Sequence, residues 1–509
     1  MGSDLAKGTT RREFLVAAAA AGAMAVVPHR MFAQDAVGDA LEARLAKDPM
    51  RPQFHLLPAK NWMNDPNGPI YFNGNYHMFF QYNPLAATWG DMSWDHAVSK
   101  DMLHWSHLPV ALTPTPGSPD SYGCFSGSAI QVGKRVYAVY TGTKESTPEL
   151  ATIHDGHNEI QESQCLAWSD DPQLLVWTKE PQPIVPMPPA GMKVTGFRDP
   201  SAWRQSDWFY MTVGSGIANG GGCVLLYRSK DLKSWEYLHE LTRGVCTGTG
   251  TCDTGDMWEC PEFFALDGGH VLVYSAVGKV FWQSGVLDEA AMKFRVSKTG
   301  VLDLGAFYAP KTQLDAQGRR ILWGWIQEKR SEAAMREAGW SGMMSLPREL
   351  RLDSDGTLRI QVLPQVAVLR AGSLPYEESK AGVLKTLRQA SGEVLCTGSR
   401  EGEMQFTMSS GGAELLRVSY SPEKHVFLID DKEMALQPKD IPTLHAFVDG
   451  SVIELILSDR IGYTKRFYYE GTTAPDVAVH ATGTGEVKMD GWKITPISKN
   501  RLTTPVRNR

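Results

Sequence analysis

From residue 61 onward, short apolar runs rich in aromatic and β-branched side chains alternate with polar turns, a texture that predicts strands. Five segments repeat one order: a small or polar opening, an apolar strand, a polar turn and a second strand. They are "DPNGPIYFNGNYHMFFQ", "FSGSAIQVGKRVYAVYTG", "FRDPSAWRQSDWFYMTVG", "ECPEFFALDGGHVLVYSAVG" and "FYAPKTQLDAQGRRILWGW". The second strands begin near Tyr76, Val136, Trp208, Val271 and Ile321, at intervals of 60, 72, 63 and 50 residues. Such a period suits four short strands with their turns. A weaker echo, "SKDMLHW", "SDDPQLLVW" and "SKDLKSW", places Ser99, Ser169 and Ser229 before Trp105, Trp177 and Trp235. Residues 51–345 therefore read as a five-bladed β-propeller, in which radial repetition hides sheet edges and leaves an axial channel. An array of β-sandwiches with accidental similarity is the competing reading, and period and phase favour the propeller.

The pattern changes after "MMSLPREL". Residues 346–365 read as a linker, and 366–505, with "GEMQFTMSS", "HVFLID" and "HAFVDGSVIELILSD", as a C-terminal β-sandwich. Its acids, Asp449 and Glu454 among them, lie outside the repeat and are assigned to scaffold or accessory surface. At the other end, Arg11 and Arg12 precede an apolar run that begins at Phe14 and reaches Val27. Residues 1–33 are expected to be a twin-arginine export signal cleaved near Ala33, and 34–50 a linker; the mature chain is then periplasmic or extracellular. The run falls short of the roughly 20 residues of a spanning helix, so no permanent membrane span is expected.

Composition adds limits. Length alone, 509 residues, asks for two domains, and 48 Gly with 30 Pro ask for many turns. Loss of residues 1–33 removes four basic and two acidic groups, taking the net charge from −6 to −8 and arguing against nucleic acid or anionic membrane as partner. Seven cysteines form no CxxC pair. Neither a zinc site nor a full disulfide framework is indicated, and a Cys246–Cys252 bridge stays open. "HDGH", with His154 and His157, offers no third metal ligand in pattern, and "TGTGTCDTG" lacks the Lys-Ser/Thr of a phosphate loop; no metal is expected.

Asp65, in "NWMNDPNGP", is by itself an ordinary turn residue. The repeat changes that. Asp65, Asp199 and Glu259 precede their second strands by 11, 9 and 12 residues, so all three converge on the channel mouth. Proteins seldom gather three acids without a use for them. Two carboxylates suffice to break a glycosidic bond, one attacking or activating water and the other protonating the leaving oxygen. Trp62, Phe80, Trp89, Phe125 and Trp258 offer apolar walls for a sugar ring, though each also suits a core.

"WMNDPNG", "QYNP", "FSGSA", "FRDP" and "WECPE", in this order, resemble glycoside hydrolase family 32, the β-fructosidases that include invertases, levanases and exo-inulinases; "GWSGMMSLPREL" and "FVDGSVIEL" extend the likeness. The resemblance implies a retaining, cofactor-free enzyme releasing terminal β-D-fructosyl units from sucrose or fructans. It makes Asp65 the nucleophile, Glu259 the general acid and base, and Asp199 the holder of fructose hydroxyls, with Arg198 keeping Asp199 ionised. Asp65 and Glu259 should then lie about 5 to 5.5 Å apart. Asn64, Gln81, Trp89, Phe125, Ser126 and Arg198 should line the fructose subsite, and Cys260 should be a packed neighbour. Two positions depart from the family pattern, Asp95 before "HAVS" and Ala306 before "FYA", and are expected to border the leaving-group side. A fructosyltransferase, an inverting arabinan-type glycosidase and an idle sugar-binding propeller remain alternatives.

Overall fold

Five inner strands, Asn61–Phe72, Gly123–Val132, Val194–Gln205, Glu259–Leu266 and Phe307–Leu314, ring one axis. Each neighbours the next, and the fifth returns to the first. From each, an antiparallel sheet runs outward, and the five sheets are the blades of a β-propeller. The computed structural model describes residues 34–498 apart from 155–157, 248–250, 253 and 380–381. The expected export signal, with Arg11, Arg12 and Ala33, lies outside the described residues, as does His157.

The blades stack because their middle strands are apolar on both faces. Along Gly221–Ser229, Cys223, Leu225 and Tyr227 pack toward blade two with Val139 and Leu166, while Val224 and Leu226 pack toward blade four with Leu272 and Tyr274. A strand buried on both sides reads as one continuous run, here "CVLLY". Cys246 is disulfide-bonded and its backbone lies opposite Cys252 in a short strand pair.

Two segments read as linkers are structured. Arg348–Leu352 and Leu358–Val362, inside 346–365, are the outer strands of blade five. The repeat fades at 345 because an insertion follows the second strand. That insertion carries helix Glu332–Ala338 and the pair Trp340–Ser341, which adds in parallel to the inner strand of blade one. Within 34–50, Gln34–Leu45 is helical, and Leu45 packs fully buried with Leu57, Trp340 and Val452.

The C-terminal domain is a β-sandwich. One sheet has seven strands; the other continues from blade four, where Asp303 pairs in parallel with Gly462. Between the sheets lie Val394, Phe406, Leu455 and Val479, all fully buried.

The two domains are joined by a buried ionic cluster. Arg348 donates through Nη1 to Asp303 (3.1 Å) and through Nη2 to Glu454 (2.6 Å) and Thr464 (3.0 Å). His55 spans Asp449 (2.7 Å) and Glu454 (2.9 Å). Asp449 and Glu454 are thus clamps between the domains, not accessory surface. Burial alone would lower the His55 pKa, but its bonds to the two carboxylates outweigh that and raise it from 6.5 to about 9. A raised folded pKa gives stability that is present below about 6.5 and lost as pH rises through about 9. The thermal midpoint is therefore expected to fall across that window, with on the order of 3 kcal/mol at stake. His55→Asn should flatten the fall, as followed by calorimetry; an unchanged slope would remove His55 as its source.

Candidate active site

At the mouth of the channel every inner strand slips register by one residue against its neighbour. The slips lie between Met63 and Pro66, Cys124 and Gly127, Arg198 and Ser201, Glu259 and Glu262, and Tyr308 and Lys311. Such bulges re-aim side chains. The three acids, expected at one corresponding position, occupy three successive ones: Glu259 just before its slip, Asp199 first within its slip and Asp65 second. One motif turned by one residue per acid thus presents three carboxylates from different directions. Asp199 sits at φ 62°, a left-handed conformation a non-glycine residue holds only where its surroundings enforce it. Its N–H donates to Thr141 Oγ1 (2.9 Å), whose hydroxyl donates to Gln164 Oε1 (3.0 Å).

Asp65 is buried. Its Oδ1 accepts from Asn64 Nδ2 (2.9 Å) and its Oδ2 from the Ser126 hydroxyl. Asn64 is itself fixed, donating to Gln81 Oε1 (2.9 Å) and accepting from the Trp62 indole N–H (2.7 Å). These donors orient the carboxylate with both oxygens engaged. Cys260 does more than pack. Its N–H donates to Asp199 Oδ2 (2.9 Å), and its Sγ lies 3.5 Å from both Asp199 Oδ2 and Asp65 Oδ2. The two aspartates therefore meet at one thiol.

Glu259 has different company. Its Oε1 accepts from Arg198 Nη2 (2.7 Å) and Nε (3.3 Å), and its Oε2 from the Tyr308 hydroxyl (2.7 Å). Arg198 forms ion pairs with Glu259 and Glu162. The reason is register: Arg198, Glu259 and Tyr308 each stand just before the slip of adjacent blades, so they line up side by side, whereas Asp199 lies one residue further on. The same logic pairs Asp65 with Ser126, each second within its slip. Tyr308 and Glu162 escaped the sequence reading. The repeat phase holds Tyr308, in "FYAP" at the place of Arg198 and Glu259, but Glu162 comes from a third strand that the repeat does not align.

Among the expected walls, Phe125 is buried with its ring centroid 5.9 Å from that of Trp89, which is partly exposed. Met335, from the inserted helix, packs into the same cluster with Trp62. Phe80 and Trp258 belong to blade cores, Trp258 stacking on Tyr274 at 3.8 Å.

The two departures are interior. Ala306 is buried with Leu45, Leu57 and Trp340. Asp95 is buried on the third strand of blade one, and burial raises its pKa from 3.8 to about 7 despite the His96 N–H on Oδ1. The folded chain keeps the Asp95 proton while the unfolded chain releases it, so stability falls between about pH 4 and 7. Asp95→Asn is expected to raise the unfolding midpoint by several degrees at about pH 8 and by little at about pH 4. Equal gains at both would sink the assignment.

Among the described residues no group of three or more His, Cys, Asp and Glu is placed to hold a metal ion. Carboxylates brought together from different blades, with aromatic side chains nearby, are what a glycoside hydrolase needs. The glycosyl hydrolases family 32 N-terminal domain matches residues 55–362. The chain belongs to that family and is a β-fructosidase. It is 34% identical over 475 residues to the raffinose invertase of Escherichia coli, covering 87% of this chain and 95% of that one. A Bombyx mori β-fructofuranosidase variant solved with sucrose superposes with a TM-score of 0.77 at 26% identity, covering 92% and 99% of the two chains. Fructan 1-exohydrolase IIa from Cichorium intybus, in complex with 1-kestose, gives a TM-score of 0.71 at 26% identity, with 88% and 98% covered.

Proposed function

We propose that the enzyme is exported and removes terminal β-D-fructosyl units from sucrose or fructans, levan and inulin included, by double displacement. Asp65 attacks the anomeric carbon as Glu259 gives its proton to the departing glycosidic oxygen, leaving a fructosyl ester on Asp65. Glu259 then takes a proton from water, whose oxygen attacks the same carbon and frees Asp65 with configuration retained. Asp199 holds fructose hydroxyls. The observation that carries this reading is the set of partners: Asp65 accepts from the Asn64 amide and the Ser126 hydroxyl, whereas Glu259 accepts from Arg198 and Tyr308. One carboxylate is oriented for attack and the other is wired for proton exchange.

Sugar release from sucrose, inulin and levan by the mature protein tests it. Free fructose from at least one is expected. Growing oligosaccharides without free fructose would favour a fructosyltransferase, and binding without release a sugar-binding propeller.

A further inference from the structure

Behind Arg198 lies a carboxylate that the reaction as written does not use. Glu162, on strand Glu159–Ser169 of blade two, is 0% exposed. Its Oε2 accepts from the Phe197 N–H (2.7 Å) and the Thr152 hydroxyl (2.8 Å), and its Oε1 from Arg198 Nη1 (3.1 Å). The opposite edge of the same guanidinium donates to Glu259.

We propose that Glu162 is a positioning residue for proton transfer: it fixes Arg198 from behind and shares its charge, so that Glu259 can carry the proton the leaving group needs. This rests on the double-displacement reading above.

A general acid poses a problem for its arginine. A buried guanidinium facing one carboxylate holds that carboxylate ionised, and protonating it strands the cation. A second carboxylate on the far edge removes both difficulties. Arg198 stays paired when Glu259 is protonated, and its pull on the Glu259 proton is weakened. Glu162 suits the task because two donors besides Arg198 hold it: the Phe197 N–H, adjacent in the chain to Arg198 itself, and Thr152. The charged and titratable groups around Glu259 include Arg198 from blade three, Tyr308 from blade five and Cys260 beside it, through which Asp65 and Asp199 connect. Of these, Arg198 is the one Glu162 touches.

The test compares the pH dependence of kcat/KM for wild type and Glu162→Gln on two substrates. Sucrose needs its leaving oxygen protonated; β-D-fructofuranosyl fluoride, whose fluoride leaves unaided, barely does. Glu162→Gln keeps the shape and removes the negative charge. Its basic limb on sucrose is expected to move about one pH unit lower, with kcat/KM near pH 7 reduced up to about 10-fold and fluoride kcat/KM within about 3-fold of wild type. Glu162→Asp should recover part of the limb. An unmoved limb, or equal loss on both substrates, overturns the proposal. Should Glu162→Gln not fold, Thr152→Val, which removes one holder of Glu162, is expected to shift the limb the same way by less, and no shift overturns it. If the wild-type protein turns over neither substrate, the double-displacement reading falls and this proposal with it; a working wild type with an unmoved limb overturns this proposal alone.

Discussion

Asp65→Ala is expected to lower kcat/KM on sucrose by about 10⁵-fold, with the fold intact. Asp65 is the carboxylate whose oxygens are engaged by Asn64 and Ser126, at hydrogen-bond geometry that fixes the direction of attack. No neighbour can replace it. Asp199, the nearest acid through Cys260, is bound through its Oδ2 to the Cys260 N–H and enters from another blade. Removing a carboxylate from a buried polar site also relieves repulsion, so the thermal midpoint should hold or rise. A residual activity above about one hundredth of wild type would mean that water is activated elsewhere.

Glu259→Gln carries the second large effect. Loss of the acid should lower turnover of sucrose by about 10³- to 10⁴-fold. The amide retains one acceptor and loses the proton, leaving Arg198 paired with Glu162. With fructofuranosyl fluoride the first step survives and the second, which needs the base, does not; the enzyme should therefore pile up as its covalent intermediate. Azide, a nucleophile that needs no base, should restore turnover and yield a β-fructosyl azide. Failure of azide to rescue would speak against Glu259 acting on water.

Much of the architecture is legible in the residues, since each blade repeats one strand–turn–strand phrase and each phrase opens at the channel. The limits of that legibility are local. The insertion bearing Glu332–Ala338 breaks the phrase, so the outer strands of blade five, Arg348–Leu352 and Leu358–Val362, read as a linker. A one-residue slip leaves no mark in composition. The three acids could be placed at the mouth, but the alignment of Arg198, Glu259 and Tyr308, and hence the pairing of Arg198 with Glu259, follows from ladder register. Asn64 and Ser126 bond Asp65, Gln81 bonds Asn64, and Phe125 lies against Trp89. Asp95 and Ala306, expected to border the leaving-group side, are both buried, Ala306 in the interdomain core just ahead of its strand. Asp449 and Glu454 read from sequence as scaffold or accessory surface, and His55 and Arg348, distant in sequence, decide for scaffold.

In the proposed double displacement Asp65 becomes covalently bonded to fructose. Glu259→Gln enzyme, mixed with β-D-fructofuranosyl fluoride, quenched in acid and digested, gives the most direct reading by mass spectrometry of its peptides. One fructosyl unit on Asp65, absent in the doubly substituted Asp65→Ala, Glu259→Gln protein, is the expected result. An adduct on Asp199 or another residue, or fluoride release with inverted fructose and no adduct, would contradict it.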